Sequence, residues 1–199
     1  MALMVEGRVR AAMRASQVVW WMGMFTLLGL LRIGTQIFST SPLDLEAFPQ
    51  VISLDEVGDL SMTVADAPLW IRVLSWSPAI VTTAGLAASA FLLSPILVAV
   101  AGGQSFGDVA RRNLRRIGLV LVISAIAATA LEFLAVWQLG AAIAAFRDAT
   151  QAAGVGYDVI YGTRITIPWL PLALGVIAAA FRWVIHDGAV LEQEVEGVI

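Results

Sequence analysis

The feature that most constrains this chain is a set of four apolar windows, each about as long as a membrane-spanning helix. A hydrocarbon core of about 30 Å takes roughly 20 apolar residues in a helix. The windows run from about 16 to 38, 77 to 102, 117 to 142 and 168 to 185. We therefore predict an all-α membrane protein with four transmembrane helices, folded as a single domain over residues 1–199.

Composition supports a lipid-embedded protein. Of the 199 residues, 59% are hydrophobic and 14% are charged, whereas a soluble domain carries about 25% charged residues. The net charge of −3 excludes a generally basic nucleic-acid-binding protein. The chain has no Cys, so disulfides and thiolate chemistry are absent.

The arginines indicate which way the four windows face. They concentrate before the first window, between the second and third, and at the end of the fourth. Positive charge is retained on the cytoplasmic side, so we predict that both termini are cytoplasmic. Residues 39–76 and 143–167 then form outer segments, and 186–199 form a cytoplasmic tail. DNA binding is the weaker alternative, because arginines held close to a bilayer have little reach into a groove.

The first window has a rival interpretation as a signal peptide. A charged start followed by an apolar run is typical of such peptides. The run is too long and no Ala-x-Ala site follows it, so we expect a retained span.

The two outer segments are long for simple connections and contain short alternating pieces. The first segment holds "QVISL" and "LSMTV", and the second holds "YDVIY" and "TRITI" on either side of Gly162. This pattern predicts a hairpin with a tight turn at Gly162. The β-branched content favours strands over disordered loops. We expect a small extracytoplasmic β-containing layer built from both segments.

Glu132 lies near or beyond the centre of the third window. A bare carboxylate in hydrocarbon is costly, so we expect it to be protonated or paired. Arg32 lies at a similar depth in the first window, and we predict an intramembrane ion pair between Arg32 and Glu132. A structural role is the favoured interpretation. The alternative is that Glu132 lines a path for protons or ions in an oligomeric channel or transporter.

The cytoplasmic side is predicted to carry two clusters of opposite charge. They are Arg111, Arg112, Arg115 and Arg116 in the inner loop, and Glu192, Glu194 and Glu196 in the tail. We hypothesise that the loop and tail dock and form a surface for a partner. An exposed ion pair contributes only about 0–1 kcal/mol, so docking needs several pairs, and a solvated tail is the alternative.

Motifs for catalysis are missing from the sequence. We find no P-loop, no Gly-x-Ser-x-Gly and no His-Glu-x-x-His, and His186 is the one histidine. We therefore predict no enzyme, no catalytic residues, no cofactor and no metal site. A lipid-modifying enzyme has no positive support.

Two patches resemble a family of small bacterial membrane proteins known as domain of unknown function 2975. The inner-loop patch is "GGQSFGDVARRNLRRIG", with an extra Arg116 before Ile117-Gly118, and the tail patch is "FRWVIHDGAVLEQEVEGVI". The resemblance implies four helices in the inner membrane with both ends cytoplasmic. It also implies a partner, because such proteins are often encoded beside a small helix-turn-helix regulator. It implies no catalytic residues.

These observations favour a protein that acts by protein–protein interaction, as a membrane sensor or an anchor for a cytoplasmic regulator. Membrane lipid and further copies of the chain are the other partners we consider. The alternative function is the oligomeric channel or transporter subunit, with Glu132 in its pathway.

Overall fold

A computed structural model describes residues 2–38, 48–53, 68–101, 108–152 and 161–196. These residues form four helices and one pair of short strands. In chain order the elements are α1 (Ala2–Ile37), β1 (Val51–Ser53), α2 (Leu69–Ala101), α3 (Asp108–Ala152), β2 (Tyr161–Thr163) and α4 (Trp169–Glu196). The predicted helical architecture with four helices is confirmed.

Helices α1 and α3 extend well beyond the apolar windows that predicted them. α1 begins at Ala2, and α3 runs from Asp108 to Ala152. The added turns are rich in Ala, with Arg, Met and Glu, which have high helix propensity and continue a helix into water. α3 begins before its apolar window, so the four arginines from Arg111 to Arg116 are helical. α2 runs from Leu69 to Ala101.

Three of the helices are long and apolar enough to cross a membrane. The candidate spans are Met13–Ile37, Leu69–Val100 and Val109–Ala145. The apolar part of α4, Trp169–Ile185, is shorter and extends over about 25 Å at 1.5 Å per residue. The structure therefore supports a multi-pass membrane protein with three spanning helices.

Large apolar side chains are exposed along the helices. Six of the seven tryptophans are among them. They are Trp20, Trp21, Trp70, Trp137, Trp169 and Trp183. Soluble proteins rarely expose extended apolar surface, and tryptophan prefers the membrane–water interface. Lipid contact accounts for both observations.

The chain divides into two compact units, and α1, α2 and α3 contribute to both. The first unit comprises Met1–Leu30, Thr82–Ala125 and Trp169–Ile199. The second comprises Leu31–Val81 and Ile126–Pro168. Each is described by itself below.

The first unit packs its helices closely at small residues. A Cβ added at Gly85 of α2 would lie 2.7 Å from the Ser124 Cβ of α3. A Cβ added at Gly175 of α4 would lie 2.9 Å from Cγ2 of Val122 and 3.3 Å from the carbonyl oxygen of Gly118. Only glycine permits these approaches, as expected at helix–helix contacts in membranes. The apolar core around them contains Ile96, Ala110, Ile117, Leu121 and Ala178.

The second unit joins its two connecting segments by a short antiparallel strand pair. Val51 pairs with Thr163, Ile52 with Gly162 and Ser53 with Tyr161. Gly162 therefore lies within a strand, and the predicted hairpin turn at Gly162 is wrong. Residues 164–168, which include most of the predicted return strand, lie between β2 and α4 and are not in a strand.

The predicted extracytoplasmic β-layer is not supported. Within the residues that the structure describes, strand pairing is limited to three residues from each segment. The predicted strand "LSMTV", and "YDVIY" up to its last residue, lie outside the described ranges.

Candidate functional site

Glu132 is an ionisable side chain that the second unit buries. It lies in α3 and is only 3% exposed. Its Oε2 accepts a hydrogen bond from Nε2 of Gln50 over 3.1 Å. Its Oε1 accepts one from the backbone N–H of Thr166 over 3.1 Å. Both carboxylate oxygens therefore have donors, which offsets much of the cost of burying the group.

Gln50 connects this carboxylate to a second helix. Its Nε2 also donates to the backbone carbonyl of Ser75 in α2 over 2.8 Å. The backbone carbonyl oxygen of Gln50 accepts a hydrogen bond from the backbone N–H of Arg164 over 2.9 Å. One buried residue thus fastens the segment before β1 to α2, α3 and the segment after β2. We call Gln50, Ser75, Glu132 and Thr166 the Glu132 cluster.

The orientation of the Gln50 amide follows from its surroundings. The Ser75 carbonyl and the Glu132 Oε2 are both acceptors, so Nε2 has to face them. The Oε1 of Gln50 is consequently left buried without a hydrogen-bond partner among the described residues. A buried unsatisfied group typically costs about 1–3 kcal/mol. The other hydrogen bonds of Gln50, which hold four segments together, offset this cost.

Arg32, the predicted partner of Glu132, lies exposed on α1. No ion pair joins Arg32 to Glu132 among the residues that the structure describes, and the donors to the carboxylate oxygens named above are neutral. The predicted ion pair is therefore corrected to a hydrogen-bonded cluster. The sequence gives the depth of Arg32 along its helix, but not the direction in which it faces, and here it faces outward.

The geometry of the cluster favours a structural role for Glu132. A carboxylate on an ion path has to release and rebind its ligands. Here each oxygen is held by a donor from a different connecting segment, and the side chain is shielded from solvent. Release would break one buried and one part-buried hydrogen bond, which makes it costly.

A second site lies in the first unit, where arginines from two helices line a groove of about 450 Å³. Its lining residues are Arg111, Arg112, Arg115, Arg182 and Trp183. We call it the arginine groove. All five side chains are exposed. Within the described part of the chain no acidic side chain lines it, so the groove is suited to an anion.

The groove contains three of the four arginines predicted as a partner surface. Arg111 and Arg115 are four residues apart and therefore lie on one side of α3. Arg116 is exposed on the same helix but does not line the groove. Arg182 of α4 was missed as a site residue, although its position at the end of the fourth apolar window had already placed it on the cytoplasmic side.

The predicted acidic tail is a continuation of α4. The backbone is helical through Glu196. Glu192, Glu194 and Glu196 belong to this last part of the helix. Their side chains lie outside the described residues, and docking onto the arginines stays a prediction.

No group of three or more His, Cys, Asp or Glu side chains that could hold a metal ion occurs among the residues described. No protein-family model, curated protein or solved structure matches the chain. The resemblance to the domain of unknown function 2975 family therefore stays a prediction.

Proposed function

We propose that the chain is an integral membrane protein that acts by protein–protein interaction, with the arginines of α3 as the contact surface for an acidic partner. The observation that carries this proposal is the exposure of all four cations within the first turns of that helix. They are Arg111, Arg112, Arg115 and Arg116. Guanidinium groups form bidentate hydrogen bonds with carboxylates and suit such interfaces.

The membrane placement is part of the proposal. All four helices cross a bacterial inner membrane, both termini are cytoplasmic, and the segments that contain β1 and β2 are outside. The distribution of arginine supports this orientation. α4 crosses with its shorter apolar part, because a bilayer thins locally around a short span at modest cost.

The partner class comes from the family resemblance. A soluble helix-turn-helix regulator would bind the cytoplasmic arginines, and the chain would serve as its membrane anchor or as the sensor that controls it. The Glu132 cluster supports the interaction role over the transporter alternative, because hydrogen bonds hold its carboxylate in place.

The test is purification of the tagged chain from its native membrane in mild detergent, with identification of the proteins that copurify. We expect one acidic protein in a fixed ratio to the chain. Replacing the four α3 arginines with Gln should release it. The matched control replaces three exposed arginines elsewhere, Arg14, Arg32 and Arg164, with Gln and should retain it.

A second variant separates recognition from membrane orientation. Removing four positive charges can change the topology, whereas replacing the same arginines with Lys keeps the charge. Lys cannot form the bidentate contact, so the Lys variant should keep the topology and bind the partner more weakly. A partner that stays bound to the Gln variant contradicts the proposal. A homo-oligomer without other proteins would favour the channel or transporter.

A further inference from the structure

We propose that the arginine groove binds the headgroup of an anionic phospholipid. The inference rests on the membrane placement proposed above, but not on the partner protein. The groove shares Arg111, Arg112 and Arg115 with the proposed partner surface and adds Arg182 and Trp183 of α4.

The first step is the charge of the groove. Arginines from segments about 70 residues apart line the groove, three from α3 and one from α4. Arg111 already takes part in another interaction, so the proposal rests on Arg112, Arg115 and Arg182. A phosphate diester presents oxygens that accept paired N–H donors from arginine, which is the geometry that favours arginine over lysine at such sites. A volume of about 450 Å³ accommodates a phosphoglycerol headgroup.

The second step is the depth of the groove. Arg182 and Trp183 lie in the last turn of the apolar part of α4, which ends at Ile185. On α3, Arg115 lies two residues before the buried Ile117, where the apolar run begins. Both helices therefore present their cations where their apolar parts end, the level at which lipid phosphates lie in a bilayer. The exposed ring of Trp183 suits the same level.

The third step distinguishes a lipid from a soluble anion. The turn of α4 that carries Arg182 and Trp183 also exposes Phe181 and Val184, which are 57% and 63% exposed and lie on the other side of the helix from the groove. This turn therefore combines exposed apolar side chains with a cation, as a helix does where it leaves lipid. Anionic phospholipid is concentrated at that level of a cytoplasmic leaflet, whereas a soluble anion is not. The observations therefore favour a lipid headgroup.

The experiment uses the purified full-length chain in mixed micelles that contain phosphatidylglycerol and phosphatidylcholine, with bound lipids counted by native mass spectrometry. The test variant combines Arg112→Gln and Arg182→Gln, one from each helix. The matched control combines Arg116→Gln and Arg14→Gln, two exposed arginines that do not line the groove. Thermal unfolding establishes that all three proteins are folded.

We expect the natural chain and the control to retain phosphatidylglycerol in preference to phosphatidylcholine. The test variant should bind it at least about tenfold more weakly, the loss that corresponds to one charge-assisted hydrogen bond. Equal retention by all three proteins, or equal loss in test variant and control, overturns the proposal. A separate measurement tests the binding of inorganic phosphate. If phosphate binds the natural chain and phosphatidylglycerol does not, the lipid assignment is overturned.

The result is independent of the partner protein. No other protein is present in the lipid measurement, so selective lipid binding can be found even when the pull-down yields no partner. Conversely, a partner released by the four-arginine variant, together with unselective lipid binding, would support the proposed function and reject the lipid site.

Discussion

Gln50 and Glu132 lie 82 residues apart in the chain and are joined by a buried hydrogen bond of 3.1 Å. Gln50 belongs to the segment between α1 and α2, and Glu132 to the middle of α3. The bond therefore ties a connecting segment to a helix that is long and apolar enough to cross a membrane. Thr166, from the segment between α3 and α4, binds the second oxygen of the same carboxylate, so Glu132 fastens both connecting segments.

Glu132→Ala should destabilise the protein by about 2–5 kcal/mol. It leaves one N–H of the buried Gln50 amide without an acceptor, at about 1–3 kcal/mol, breaks the part-buried hydrogen bond from Thr166 and opens a cavity. The measurement is thermal or denaturant unfolding in detergent. Asp148→Asn is the matched control, since Asp148 is an exposed carboxylate on the same helix, and should leave the midpoint unchanged.

A double-mutant cycle between Gln50→Ala and Glu132→Ala should give a coupling energy of about 1 kcal/mol or more, as expected for residues in direct contact. Additive losses would contradict the hydrogen-bonded cluster.

Glu132→Gln reconstituted in liposomes tests the transporter alternative. A variant that abolishes flux while unfolding at the natural midpoint would favour a carboxylate in a pathway over a structural anchor.

Arg32→Ala should leave the unfolding midpoint close to that of the natural chain. Arg32 is exposed and forms no ion pair with Glu132 in the part of the chain described. Its loss therefore leaves no buried charge behind. Unfolding of the Arg32 and Glu132 variants is compared in the same detergent. Similar losses in both would restore the ion pair predicted from sequence.

The comparison of Arg32 with Gln50 shows where sequence reasoning reaches its limit. Apolar length predicts that a helix exists and how deep a residue lies along it, so Glu132 could be selected from the sequence. The rotation of each helix depends on packing against its neighbours, and Arg32 faces outward for that reason. The sequence does not predict that Gln50 contacts Glu132, because a single amide in a connecting segment matches no motif.

The arginine groove shows the same limit for a surface. The positive-inside rule predicts that Arg112 and Arg182 lie on one side of the membrane. It does not predict that α3 and α4 approach closely enough to form one groove. That approach depends on Gly118 and Gly175, whose small-residue pattern is common in membrane helices and does not identify the partner helix from sequence.

Gly85→Ala should destabilise the protein by about 1–3 kcal/mol, the usual cost of overpacking. The added methyl would lie 2.7 Å from the Ser124 Cβ, so α2 and α3 would have to separate. Gly29→Ala is the matched control, because a Cβ at Gly29 of α1 has no atom within 4 Å. Equal unfolding midpoints for the two variants would show that α2 and α3 do not pack at this point.

Reporter fusions should place the N-terminus, residues 102–107 and the C-terminus on the cytoplasmic side. Three helices meet the length for crossing a bilayer and the apolar part of α4 falls short of it, so the C-terminal fusion decides whether α4 crosses.

Inserting three Leu residues after Leu174 lengthens the apolar part of α4 by about 4.5 Å and tests whether length limits the crossing. If α4 crosses as proposed, the insertion leaves the C-terminal reporter cytoplasmic. A C-terminus found outside in the natural chain would show that three helices cross, and would place Arg182 on the opposite side of the membrane from the arginines of α3, which contradicts the arginine groove as well.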